Sequence, residues 1–158
     1  MKNKYLHLLI PKLVNKLWGA QYFTKLNVHW GFNNIQLREG DEWKAAFCTN
    51  HRLFKPLIMF FSLTNSPATL QTMMDSIFKV LISEGEVIVY LDNILIFTET
   101  LEEHQEVVKK AVSLLHIHNL FLKLEKCKFK HMEIEYLGVI ISHNSVCMDP
   151  VKVARVSE

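Results

Sequence analysis

Residues 86–98 restrict this chain more than any other segment. Two short β-forming runs, EVIVYL at 86–91 and ILIFT at 94–98, are separated by Asp92 and Asn93 alone. A connection of two residues joins neighbouring strands as an antiparallel hairpin, and Asp and Asn both tolerate the tight turn it needs. A carboxylate is thereby placed at a rigid tip. Taken alone, an Asp-Asn tip is more often a plain turn than a metal site, so its meaning depends on what surrounds it.

The flanking segments supply that surrounding. Before the hairpin, Ser66 suits a helix N-cap and Pro67 the first helical position, while Leu70, Met73, Met74, Ile77, Phe78 and Leu81 make one apolar stripe ending near Gly85. After it, Thr100 and Glu103 form a capping-box pair opening a helix whose buried face is Leu101, Val108, Ala111, Val112 and Leu115, ending around His118 and Asn119. Residues 22–29 alternate as a strand, with Leu26 and Val28 toward the core and Asn27 outward. A second hairpin is expected from strands at 43–49 and 53–60, turning at 50–52, and closing strands at 120–129 and 134–142. Leu6, Leu9, Ile10, Leu13, Val14 and Leu17 predict an opening amphipathic helix ending at Gly19, and a tail begins at Asp149 and Pro150. This order lacks regular β-α alternation, so the expected class is α+β with a mainly antiparallel sheet, residues 1–158 forming a single domain.

Composition narrows the function classes. With 158 residues, 49% of them apolar, the chain can bury one sizeable core. Eighteen Lys plus Arg against sixteen Asp plus Glu leave +2, so any polyanion must be held locally rather than by a global field. Cys48, Cys127 and Cys147 are odd in number and lack a CxxC pair, against a disulfide framework or a zinc knuckle. The apolar runs fall far short of the ~20 residues that span a bilayer, and no membrane partner is expected. The apolar stretch of the first residues is cut by His7, Pro11 and Lys12, which predicts structure rather than a leader. Lys123, Lys126, Lys128 and Lys130 form the densest basic cluster, equally consistent with a nucleic-acid backbone site and with a lysine-protected sheet edge. Trp18, Trp30 and Trp43 are expected to pack rather than to stack on bases.

Seven strings then stand in one order: LVNKLWGAQYFTKLNVHWGFNNIQL, EWKAAFCTN, FFSLTNSPATLQTMMDSIF, VYLDNILIF, EEHQEVV, KCKF and EYLGVIIS. In order and spacing they are similar to those of the reverse transcriptases of gypsy-type long-terminal-repeat retrotransposons, over nearly the whole chain. The resemblance implies the palm of a right-hand polymerase, a mainly antiparallel sheet backed by helices, with the part of the fingers inserted between the Asn27 strand and the Ser66 helix. It implies RNA-directed DNA synthesis, a template-primer of RNA or DNA and a deoxynucleoside triphosphate as partners, and an intracellular setting in cytoplasm or virus-like particle. It also implies two Mg²⁺ ions about 3.5 to 4 Å apart, held in the family by three aspartates at the positions occupied here by 27, 92 and 93. The family's further fingers, thumb, connection and ribonuclease H are expected to lie outside residues 1–158.

Here the chain departs from the pattern. Where the family reads Leu-Asp-Val, it has Leu26, Asn27 and Val28, and where the family reads Tyr-Leu-Asp-Asp, it has Tyr90, Leu91, Asp92 and Asn93. Three anionic ligands fall to one, retained at Asp92, which at an effective dielectric near 20 weakens binding of two dications by on the order of several kcal/mol. Position 27 carries the heavier loss, because its family counterpart bridges the metals. The expectation is a polymerase-shaped domain with little or no activity, the alternatives being a nucleic-acid-binding module without catalysis and a weak polymerase. Further positions carried over from the resemblance are the metal-coordinating backbone carbonyl of Val28, the aromatic sugar gate Phe32, Phe61 and Ser62 against the incoming nucleotide, and Leu137 and Gly138 at the primer end. Ser62 replaces a family glycine and would strain the loop if that position has φ > 0.

Overall fold

In the computed structural model, residues 15–148 are described. A central antiparallel sheet has the strand order β4-β5-β1-β6, built from β1 (Tyr22–Asn27), β4 (Val87–Tyr90), β5 (Asn93–Thr98) and β6 (Lys128–His131). Helices α1 (Ser66–Ile77), α2 (Lys79–Glu84) and α3 (Leu101–Ile117) cover one face. A three-stranded antiparallel sheet, β7 (Glu133–Tyr136), β8 (Val139–Ser142) and β9 (Ser145–Met148), covers the other. A small hairpin, β2 (Phe47–Cys48) with β3 (Leu53–Phe54), lies between β1 and α1 in the chain. The expected α+β class and antiparallel sheet are both present.

Two cores result, one on each side of the central sheet. Leu26, Val28, Val87, Val89, Ile94 and Ile96 meet Leu70, Met74, Phe78, Leu81, Val107, Ala111 and Leu115 from the helices. Phe23, Ile88, Leu95 and Phe97 meet Ile134, Tyr136, Val139 and Ile141 from the second sheet. Burial on both faces explains why the runs at 87–90 and 94–97 are continuously apolar instead of alternating. It also corrects the outward placement of Asn27, which lies on the second face and is buried, at 5% exposure.

Other expectations shift for local reasons. Ser66 does not cap α1: its hydroxyl donates to Phe60 O at 2.7 Å and Asn65 takes the cap position, so Pro67 is the second helical residue. The stripe from Leu70 to Leu81 is interrupted at Phe78, where Phe78 N–H donates to Met74 O and Ile82 N–H to Phe78 O. On α3, whose Thr100 cap is formed as expected, His104 and Val107 are buried where Val112 was expected, and Val112 is exposed. Residues 42–45 form a 3-10 turn, reducing the first hairpin to two residues per strand. Residues 120–129 are not one strand: Leu122 bridges Val28, residues 124–126 form a 3-10 turn, and β6 starts only at Lys128. Residues 134–142 are two strands folded at Leu137 and Gly138. Lys128 and Lys130 therefore lie on the edge strand, while Lys123 precedes the 3-10 turn and Lys126 ends it. All three tryptophans are exposed, against the expected packing. Of the expected opening helix only residues 15–17 fall among those described, and they are helical; the remainder, like the tail from residue 149, lies outside them. No helix among the described residues is long and apolar enough to cross a membrane.

His104 ties the layers together. Its Nδ1 is 3.1 Å from Thr98 Oγ1 and its Nε2 2.7 Å from Thr24 Oγ1. Thr98 spends its hydroxyl proton on Thr100 O, so it accepts from Nδ1–H, which leaves Nε2 to accept from the Thr24 hydroxyl. Thr24 Oγ1 in turn accepts from Lys130 N–H at 3.0 Å. The ring is thus neutral, and burial holds its pKa below the ordinary histidine value, with Glu103 opposing and Lys130 reinforcing that shift. Because the unfolded chain takes up the proton more readily, the stability from this network is complete above about pH 6.5 and is lost as pH falls toward the lowered folded value. In urea unfolding at about pH 7.5 and 5.5, His104→Gln is expected to show a smaller acid loss than the natural protein; equal losses would show that His104 is not the titrating link.

Candidate active site

The site begins with register. β4 pairs with β5 as Val87↔Ile96, Ile88↔Leu95, Val89↔Ile94 and Tyr90↔Asn93, which makes Leu91 and Asp92 the turn residues rather than Asp92 and Asn93. Leu91 takes φ 55°, a left-handed conformation uncommon for a branched residue. It is held there by Gln71, a buried side chain of α1. Leu91 N–H donates to Gln71 Oε1 at 2.7 Å, and Gln71 Nε2 donates to Val89 O at 3.1 Å and to Asp75 Oδ1 at 2.8 Å. β1 pairs with β5 as Leu26↔Ile94 and Asn27↔Asn93, and Val28 N–H donates to Asp92 O at 2.8 Å. Strand, turn and strand therefore converge on three side chains.

These three close on one another. Asn27 Nδ2 donates to Asp92 Oδ2 at 3.1 Å and to Asn93 Oδ1 at 3.2 Å, and Asn93 Nδ2 donates to Asp92 Oδ1 at 3.2 Å. The orientation of Asn27 follows from its partners, since the reversed amide would set oxygen against two oxygens. Both oxygens of the single carboxylate already accept amide protons. Asn27 is anchored further by its backbone: its N–H faces Cys127 Sγ at 3.4 Å and its O accepts from Lys123 N–H at 2.9 Å. Tyr136, fully buried, donates its hydroxyl to Asn93 O at 3.2 Å. Burial, and then the charges of Asp92 and Tyr90, push that phenol well above its ordinary range, so it stays a donor. Gly31 lets its turn approach Asp92, because a Cβ there would meet Asp92 Cβ at 3.3 Å and Leu70 Cδ2 at 3.4 Å.

This donor set does not fit two divalent cations. One carboxylate is present, and the amide N–H groups of Asn27 and Asn93 point their positive ends at it. Among the described residues no group of three or more His, Cys, Asp or Glu is placed to hold a metal.

The remaining expected positions lie around this centre. Val28 is buried beside the turn. Phe32, on the 3-10 turn Gly31–Asn34, meets Phe61 edge-on with ring centroids 5.4 Å apart, and Phe61 is exposed. Ser62 is exposed and its φ is not left-handed, so the anticipated strain is absent. Leu137 and Gly138, at φ 50° and 85°, form the tip between β7 and β8, one residue beyond the Tyr136 that reaches Asn93. Gln71, Gly31, Tyr136 and Cys127 were not anticipated as supports of the site. A glutamine between Leu70 and Met74 on an apolar stripe is the signal that could have revealed the first.

A family described as "Reverse transcriptase (RNA-dependent DNA polymerase)" matches residues 2–141. The chain is 35% identical over 147 residues to the retrovirus-related Pol polyprotein from transposon 297 of Drosophila melanogaster, covering 93% of this chain and 14% of that polyprotein. It is 34% identical over 134 residues to the transposon Tf2-7 polyprotein of Schizosaccharomyces pombe, covering 85% of this chain and 10% of the relative. The chain thus spans a small part of the curated relatives it matches. The foamy viral protease-reverse transcriptase dRH, solved in complex with double-stranded DNA, covers 100% of this chain and 27% of its own, with a TM-score of 0.88 at 18% identity. At that identity the likeness speaks for the fold, which is that of a reverse transcriptase palm with part of the fingers.

Gln71→Ala would leave Leu91 N–H and Val89 O without this partner beneath the turn. Urea unfolding is expected to show a loss of about 1–3 kcal/mol, with the Leu91 amide exchanging faster than its neighbours on β4. An unchanged midpoint would show that the turn holds itself.

Proposed function

Because this chain belongs to the reverse transcriptase family and is a fragment of a retrotransposon polyprotein's reverse transcriptase domain, we propose that it is a gypsy-type palm whose capacity for nucleotidyl transfer has been lost. The observation that carries the proposal is the closed cluster of Asn27, Asp92 and Asn93, in which amide donors occupy the directions a cation would need. Templated DNA synthesis requires developing charge on the transferred phosphoryl group to be neutralised, and one carboxylate committed to two amides supplies no seat for the ions that do so.

What the fold retains supports contact with nucleic acid. The foamy viral relative of this fold was solved with double-stranded DNA, and the proposed partner is a template-primer duplex lying across the hairpin tips. Phe32 and Phe61 keep an aromatic pair where a sugar and base of an incoming nucleotide would pack, and the tip at Leu137 and Gly138 stands next to the cluster through Tyr136. Such contact is expected to weaken with salt as phosphate charges are screened, and to survive Asp92→Ala.

Primer extension tests the loss of chemistry. The protein is expected to give no template-dependent incorporation with Mg²⁺, and the two substitutions placed at the matching aspartates of an active family member should cut its turnover by at least ~10²-fold. Incorporation by this chain that disappears in Asp92→Ala would overturn the proposal, as would full activity in the substituted relative.

A further inference from the structure

The same three side chains bear on stability as well as on chemistry. They join β1, the turn after β4 and the start of β5, elements fixed by the two cores and unable to move apart freely. With carboxylates at all three positions, oxygens would face oxygens across the 3.1, 3.2 and 3.2 Å contacts now made by amides. Like charges held at that distance disfavour the charged form of the folded state unless a cation or a proton intervenes. A divalent ion bound there would stabilise the native state by mass action.

We infer that replacing two carboxylates by amides has turned a cation-dependent seat into a metal-independent clasp, so that the stability of this domain does not draw on a divalent ion at Asp92. The inference rests on the functional reading above only in taking positions 27, 92 and 93 as the family's metal seat. Each contact now pairs a donor with an acceptor. Asn27 gives both amide protons, one to the turn and one to β5; Asn93 gives one back to Asp92; and Asp92 accepts through each oxygen. The one carboxylate is thereby hydrogen-bonded at both of its oxygens. Active sites that gather like charges commonly sacrifice stability for function, and here that conflict is relieved.

Thermal unfolding of the protein in EDTA, in NaCl and in MgCl₂ at matched ionic strength reads this out. The natural protein is expected to keep its Tm within about 1 °C between NaCl and MgCl₂. Asn27→Asp/Asn93→Asp is expected to melt about 5 °C or more lower in EDTA, and to regain much of that in MgCl₂. A rise in the natural protein's Tm with MgCl₂ that Asp92→Ala abolishes would overturn the clasp, as would a double variant as stable in EDTA as its parent. Should the double variant fail to fold in either salt, Asn93→Asp alone is read by the same criteria, and the natural protein's own response stands regardless. The two readings fail separately. A Tm response without primer extension overturns the clasp alone, whereas primer extension without a Tm response overturns the loss of chemistry alone.

Discussion

Pairing of β1 with β5 in the register that sets Asn27 opposite Asn93 is the constraint on which the rest of the molecule depends. A slip of one residue would exchange the two faces of β1, sending Leu26 and Val28 toward the second sheet and Phe23 toward the helices. Burying one such side chain contributes roughly 1.5–3 kcal/mol, whereas a net hydrogen bond contributes roughly 0.5–1.5 kcal/mol. The cores therefore set the register, and the register sets the site. The three polar side chains meet because packing leaves them nowhere else to go.

Charge then determines what the meeting means. Three anions brought together by the cores would be an unfavourable arrangement that a pair of dications could resolve; one anion and two amides resolve it among themselves. The supporting shell is consistent with a site that is still tightly held. Gln71 fixes the turn from below, Tyr136 fixes Asn93 from the second sheet, and the Lys123–Cys127 segment fixes the backbone of Asn27. The scaffold of a polymerase palm persists around one carboxylate and two amides.

Much of this was legible in local pattern. The hairpin at 86–98, the apolar stripe of α1 and the Thr100 cap of α3 depend on short-range spacing, and all three are present. The turn lies one residue earlier than expected because Leu91 takes the left-handed conformation, and Asn93 pairs with both Tyr90 on β4 and Asn27 on β1. The burial of Asn27 could not be read from its own strand, since its partners Asp92, Asn93 and Cys127 lie 65 to 100 residues away in the chain. Positions 27, 92 and 93 were identifiable as a site through family resemblance, but the direction of the Asn27 amide follows only from the packed geometry. Core or strand packing is the commoner fate of tryptophan, yet Trp18, Trp30 and Trp43 all stand exposed.

Amide protons of Asn27 and Asn93, one from each, already occupy the carboxylate of Asp92. Paramagnetic Mn²⁺ titrated into ¹⁵N-labelled protein tests it at the level of single groups, because a bound ion broadens the signals of its nearest neighbours first. The Asn27 side-chain amide and the backbone amides of Asp92 and Asn93 are expected to stay sharp while amides beside exposed carboxylates elsewhere broaden. Selective early loss of those three signals would contradict it.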